Sequence, residues 1–259
     1  MDILFNPTVY WCVAGIMACL AIIVFFALQH ITAGYGMMYN RRWGISLDNR
    51  AGWIIMEAPV FVAMAFLWAL SPRRAEAAPA VMASLFMFHY FQRSFVFPFL
   101  IRGKSRMPLA IMTMGVLFNL VNAYMLGGWI FYVSPPGYYT ADWLVSPLFI
   151  LGTVVFMTGM AVNWHSDSIV RRLRKPGDTR HYIPRGGMFR YVTSANYLGE
   201  FVEWVGFAIL TWSVAGAVFA LWTFANLAPR AASIHRRYIS EFGDEYSRLN
   251  RRYIIPFIY

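Results

Sequence analysis

The sequence predicts an all-α membrane protein, a seven-transmembrane helix bundle with its N-terminus outside and its C-terminus cytoplasmic. Three observations carry that expectation. The chain of 259 residues is 59% hydrophobic and only 13% charged. Apolar runs of about 18 residues or more, enough to cross a bilayer, recur along its whole length. The basic residues gather in alternate connections between those runs, as in loops retained on the cytoplasmic side. No change of composition marks off a soluble region, so residues 1–259 read as one polytopic membrane domain. The net charge of +10 follows the loop pattern and gives no reason to expect nucleic acid, although part of it suits an anionic ligand.

The first span runs from Thr8 to Gln29. Its start has no basic n-region and its apolar run is too long for a signal peptide, so it is expected to stay in place. Cys12 and Cys19 both lie in this span, two turns apart on one helix, which excludes a disulfide between them. No Cys/His spacing suggests a metal site. The next loop carries Arg41, Arg42 and Arg50. Span two, Trp53 to Leu70, contains Glu57, and a short turn leads to span three, Pro79 to Ile101. Arg102, Lys104 and Arg106 precede span four, Leu109 to Val133. Span five runs from Trp143 to Trp164 and enters the dense basic cluster at 171–190. The stretch from Tyr191 to Ala228 is roughly 57 Å of helix, enough for two further crossings. The basic tail from Arg230 to Arg252 is then cytoplasmic, and the closing apolar IIPFIY, too short to span, is expected to pack back on the bundle.

Polar residues within the apolar runs are the candidates for chemistry. Glu57 lies well inside span two, where an acid costs about 2.5–3.5 kcal/mol unless it faces a cavity and has a partner. Spans two and three are antiparallel neighbours, which places Tyr90 at comparable depth. Tyr90 and Arg93 are three apart and share a face. Asn163, Asp167, Arg171 and Arg174 are spaced four, four and three, forming one helical stripe that leaves the membrane with amide and acid first and guanidiniums after. Arginine grips phosphate through a planar fork, so such a stripe suits a ligand with a polar head and phosphates further out. Asn196, Glu200 and Glu203 form a second stripe entering span six from the same side. The readings without function are a solvated helix end for the first stripe and contacts between helices for the second. Neither GxGxxG nor a Walker motif is present, so a bound nucleotide would not sit on a Rossmann or P-loop scaffold.

MEAPVF around Glu57, HYFQRSFVFP, RGKSR, NWHSDSIVRRLRKPGD, YIPRGGMFRYVTSANYLGEFVEW and the closing HRRY…YIIPFIY carry a resemblance. In these blocks, in this order, the chain resembles the steroid 5α-reductase (3-oxo-5α-steroid 4-dehydrogenase) family over essentially its whole length, and its compact loops suggest a bacterial member. The resemblance implies NADPH-dependent reduction of the double bond of a 3-oxo-Δ4-steroid in a seven-span fold, with the steroid held mainly by spans one to four. Glu57 and Tyr90 match the pair that holds the 3-oxo group, with Tyr90 tied to Glu57. Trp53 matches a position near the steroid, and Arg93 is placed beside it. Asn163, Asp167, Arg174, Asn196, Glu200, Arg230 and Tyr238 match positions that contact NADPH, and Arg171 follows from the stripe. Lys104 stands where relatives have an arginine, Phe97 where some have a tyrosine, and Ile234 replaces a histidine just before His235, which is taken as a cofactor contact. The linker RKPGDTRHYIPRGG is the candidate lid. The expected partners are a steroid and membrane lipids, in a bacterial inner membrane, or in the endoplasmic reticulum of a eukaryote. The physiological steroid and the oligomeric state stay open. Alternatives are a related membrane enoyl-type reductase, an isoprenylcysteine-methyltransferase-like enzyme, or a sterol-binding or transport protein.

Overall fold

Among the described residues, seven long helices carry the chain, and two three-residue strands pair at the start of two of them. The computed structural model describes residues 5–103, 105–175, 178 and 180–259. Lys104 lies outside the described residues, as do Pro176, Gly177 and Thr179 of the expected lid.

Helix α1 is Pro7–His30. It starts on Asn6, whose side chain accepts from the amides of Thr8 and Val9, with Pro7 in the first turn where no N–H is needed. Strand β1 (Ser46–Asp48) runs directly into α2 (Asn49–Leu70), capped by Asp48. After a short turn comes α3 (Ala77–Phe91), then a π-helical turn, Gln92–Val96, and α4 (Phe97–Leu100). Pro98 explains the π turn: its ring clashes with the carbonyl four residues back, and widening the preceding turn relieves that clash. Strand β2 (Arg106–Pro108) leads directly into α5 (Leu109–Gly128), which continues as a π turn, Trp129–Val133.

Strands β1 and β2 pair antiparallel at the start of both helices, and α2 and α5 then run side by side in the same direction, Met56 against Gly115 and Met64 against Gly127. Nearly equal numbers of residues then bring Glu57 and Asn119 to the same depth. The chain continues through α6 (Pro147–Arg172), α7 (Ala195–Thr211), α8 (Val214–Phe242) and a single turn, α9 (Asp244–Ser247). Between α7 and α8 the chain reverses through Trp212, in the left-handed region, and Ser213, which caps α8.

Helices α6 and α7 make the closest pair. A Cβ on Gly159 would collide with the backbone of Glu203, and one on Gly199 with the backbone of Asn163. Glycine is therefore required for these backbones to touch. The buried core packs Phe86, Phe156, Trp204, Phe207 and Phe219 around this seam. The closing segment does fold back: Thr193 and Ser194 donate to the carbonyls of Arg252 and Tyr253, and Ile254 is fully buried.

Four helical stretches, Pro7–His30, Asn49–Leu70, Leu109–Val133 and Pro147–Arg172, are long and apolar enough to cross a membrane. Three expected boundaries are corrected. The span placed at Trp143–Trp164 is a 3-10 turn at Ala141–Val145 followed by α6, which starts at Pro147 and runs on to Arg172. Span three, expected as one helix to Ile101, contains the π turn. The last apolar run was expected to end at Ala228, but α8 continues through the basic residues to Phe242.

Candidate active site

A cavity of about 450 Å³ lies between α1, α2, α3, α5, α7 and α8, within the size range of small-molecule sites. Trp53, Glu57, Tyr90, Arg93 and Glu200, five of the residues singled out in the sequence, all line it. Most of the remaining wall is apolar or aromatic, so the few polar groups fix how a ligand would be oriented.

Glu57 and Tyr90 are both buried, and each is held from α5. Asn119 donates to the Glu57 carboxylate at 3.0 Å and to the Met56 carbonyl at 2.9 Å. Asn122, one turn further along α5, donates to the Tyr90 hydroxyl at 3.3 Å. Among the described residues no hydrogen bond joins Tyr90 to Glu57, so the direct tie expected between them is replaced by two amides on a third helix. This arrangement has a chemical consequence. Tyr90 accepts from Asn122, which leaves its own O–H free to donate into the cavity. Neither asparagine was singled out in the sequence; the available signal was the pair of amides, three apart, inside the apolar run FNLVNAY.

Arg93 sits in the π turn and connects the cavity to the two polar stripes. Its guanidinium lies 4.5 Å from the centre of the Trp53 ring and 4.8 Å from that of Phe97. It reaches Glu200 at 3.3 Å and Asp167 at 4.0 Å. Behind it the stripes meet across the glycine seam. Asn163 donates to the Asn196 carbonyl at 2.9 Å, and the Asn196 side chain donates to Asp167 at 3.2 Å. Asn163, Asp167, Asn196 and Glu200 thus form one polar seam beside the cavity.

The other expected cofactor residues lie in an outer layer at the basic end. Arg171 is on the last turn of α6. Arg174 donates from Nε to the Arg180 carbonyl at 2.8 Å. Arg230 is buried and spends its guanidinium on the carbonyls of Ala33 and Tyr35 and the hydroxyl of Tyr197, each at 2.9 Å. His235 Nδ1 lies 2.7 Å from the Thr193 hydroxyl, and Tyr238 is buried with Ile183 and Tyr246. In the described part of the lid, Arg180 and Tyr182 both donate to Asp178 and hold its carboxyl well below the usual carboxylate range. Phe97 packs edge-on against Trp53.

One residue of this layer was missed. Arg251 is 7% exposed, and its Nε and one terminal nitrogen have no hydrogen-bond partner among the described residues. A buried guanidinium with unspent donors marks a place for an anion. In the sequence it was hidden among the other basic residues of the tail. The hydroxyls of Ser166 and Ser194, on either side of the polar seam, are also buried without hydrogen-bond partners among the described residues. Among the described residues, no group of three or more His, Cys, Asp or Glu is placed to hold a metal ion.

Comparison with known proteins agrees in one direction. Residues 105–259 match the family model described as 3-oxo-5-alpha-steroid 4-dehydrogenase. The chain is 40% identical over 238 residues, 91% of its length, to 3-oxo-5-alpha-steroid 4-dehydrogenase 1 of Homo sapiens, covering 90% of that protein. It is 41% identical over 216 residues to 3-oxo-5-alpha-steroid 4-dehydrogenase 2 of Sus scrofa, with 83% of each chain covered. It is 35% identical over 260 residues to Steroid 5-alpha-reductase DET2 of Solanum lycopersicum, with 99% of this chain and 97% of that one covered.

Proposed function

Since this chain belongs to the 3-oxo-5-alpha-steroid 4-dehydrogenase family of steroid oxidoreductases, we propose that it reduces the Δ4 double bond of 3-oxo-Δ4-steroids to 5α-dihydrosteroids with NADPH. The observation that carries this reading is the free O–H of Tyr90, held by Asn122 beside Glu57 in an otherwise largely apolar cavity of steroid size. When bound, NADPH supplies a hydride to the β carbon of the enone, and negative charge then builds on the 3-oxo oxygen.

Tyr90 donates to that oxygen, and Glu57, oriented by Asn119, donates to its other side as the protonated acid. A donor aimed at a developing oxyanion in such a site is worth about 2.7–4 kcal/mol. Trp53 lies against the steroid and is fixed by the Arg93 guanidinium stacked on it. The polar seam suits a nicotinamide head, since Asn163 and Asn196 offer amides and Ser166 and Ser194 have hydroxyls unspent. The outer layer suits the phosphates: Arg251 has unused N–H groups, and Arg171 and Arg174 stand at the basic end of the first stripe. Lys104 meets phosphate as a point charge. Arg230, His235 and Tyr238 complete the shell, Arg230 by exchanging its carbonyl partners at Ala33 and Tyr35 for the cofactor.

The same reading carries the seven-span topology, N-terminus out and C-terminus in. On this reading successive rods alternate in direction, and the arginine-rich end corresponds to the cytoplasmic side. The compact connections favour a bacterial inner membrane. The steroid then arrives from the lipid phase and NADPH from the cytoplasm. The test is NADPH oxidation by purified protein in detergent with progesterone or testosterone, compared with the saturated 5α-steroid. Oxidation with the enones alone is the expected result; no oxidation with any 3-oxo-Δ4-steroid would overturn the reading.

A further inference from the structure

The reaction just proposed needs a proton at the α carbon, and Tyr90 is poorly placed to supply it. A hydroxyl bonded to the carbonyl oxygen stabilises charge on oxygen, whereas the α carbon needs a second acid beside it. On this reading of the reaction, we propose that His89 is that acid, and that Glu203 is the positioning residue that holds it.

His89 lines the same cavity as Tyr90 and is its chain neighbour. Its ring stands edge-on to the Tyr90 ring, centroids 4.9 Å apart, and edge-on to Trp204 at 4.6 Å. Nδ1 is 2.7 Å from Glu203, a carboxylate 1% exposed. Glu203 is in turn held in place by the backbone contact between its own residue and Gly159. As the imidazolium, with Nδ1–H captured by the carboxylate, His89 is held in one orientation and keeps Nε2–H as the remaining donor of a ring that lines the cavity. Four other ionisable groups of the wall are already committed, and Tyr35 carries the Arg230 guanidinium over its ring at 3.7 Å. Arg93 gives up no proton and is paired with Glu200, while Glu57 and Tyr90 hold the carbonyl. Glu203, Glu200, Arg93, Glu57 and Tyr90 are the charged or titratable groups that surround the imidazole.

The step balances. Hydride adds to the β carbon and the π pair moves to make the enolate. The enolate then takes the Nε2 proton at its α carbon, forming a C–H bond and breaking N–H. Neutral His89 regains a proton from water once product leaves, so each turnover consumes one hydride and one solvent proton.

The test uses the full chain with NADPH and progesterone. His89→Gln keeps a donor towards Glu203 but has no transferable proton. It should lower kcat by about 10²–10⁴-fold, leave progesterone binding within threefold, and raise the solvent deuterium isotope effect on kcat. Glu203→Gln, which keeps an acceptor for Nδ1–H but removes the charge, should lower kcat about tenfold with the same rise in isotope effect. If His89→Gln fails to fold, Glu203→Gln decides alone. Wild-type turnover in either folded variant, or a loss with unchanged isotope effect, would overturn the assignment and leave the pair structural. These outcomes are distinct from failure of the underlying reading, in which the unmodified protein oxidises no NADPH with any enone; that result would overturn both.

Discussion

Two helix pairs flank the site, and they are packed by opposite means. Along α6–α7, glycine meets backbone: a side chain on Gly152, Gly159, Gly199 or Gly206 would strike the main chain of the partner helix. Along α2–α5, glycine meets methionine. The space beside Gly115 is filled by Met56, and that beside Gly127 is bordered by the Met64 sulfur. Main chain cannot yield without moving a helix, but an unbranched thioether adapts to its surroundings. The rigid seam therefore fixes Asn163, Asp167, Asn196 and Glu200 in register, as a cofactor of constant shape requires. The compliant wall borders the cavity, where an apolar ligand needs a fitted but adjustable surface.

The largest expected effect tests that contrast directly. Gly199→Val must push α6 and α7 apart, and overpacking against backbone costs more than the usual 1–3 kcal/mol for an enlarged core residue. We expect no monodisperse peak by detergent size-exclusion chromatography. Gly115→Ala adds one methyl against Met56 and also gains about 1 kcal/mol of helix propensity. It should fold with a melting temperature near the wild type and change KM for the steroid instead. Equal loss in both variants would remove the distinction between the two pairs.

Next comes the chemistry on the compliant side. Tyr90→Phe keeps the ring against Phe86 and Trp204 but removes the donor. Turnover should fall about 10²–10³-fold, while NADPH affinity, measured by equilibrium binding, stays put because the seam is untouched. A variant that loses cofactor affinity as well would mean that the two regions are not independent.

The sequence made one kind of information plain and hid another. Lipid-compatible runs announced the rods, and charges inside them announced Glu57, Arg93, Asp167 and Glu200, because an ion in an apolar segment needs a reason to be there. Hydropathy does not register backbone hydrogen bonding, so α8 was cut short at Ala228 although it carries its basic residues on to Phe242. Nor does it register the strain Pro98 puts on the preceding turn. Asn119 and Asn122 escaped for a related reason. They carry no charge, and their importance lies in partners 62 and 32 residues away, a distance no local pattern spans. Arg251 was invisible because only burial separates it from the exposed arginines around it.

A smaller effect is expected at the outer layer. Arg174 already gives Nε to the Arg180 carbonyl, so only part of its fork is available to a ligand. Arg174→Ala should weaken NADPH about tenfold, roughly one charge-assisted hydrogen bond, and weaken NADH less. Equal weakening of both, by isothermal titration, would assign Arg174 to the pyrophosphate common to the two cofactors.

The smallest effect is the most informative about how the compliant wall works. Asn122→Leu removes the hydrogen bond to Tyr90 without touching the phenol. Among the described residues the Asn122 side-chain oxygen is already buried without a partner, so the substitution also removes an unsatisfied group, and stability should hardly change. What is lost is orientation: the Tyr90 hydroxyl is free to rotate away from the substrate carbonyl. A neutral hydrogen bond of about 0.5–1.5 kcal/mol corresponds to a two- to tenfold fall in kcat, with KM for the steroid nearly constant. A fall as large as that of Tyr90→Phe would make Asn122 part of the chemistry itself. No fall at all would mean that the phenol is aimed by its ring contacts with Phe86, His89 and Trp204, and that the two asparagines serve only to join α5 to α2 and α3.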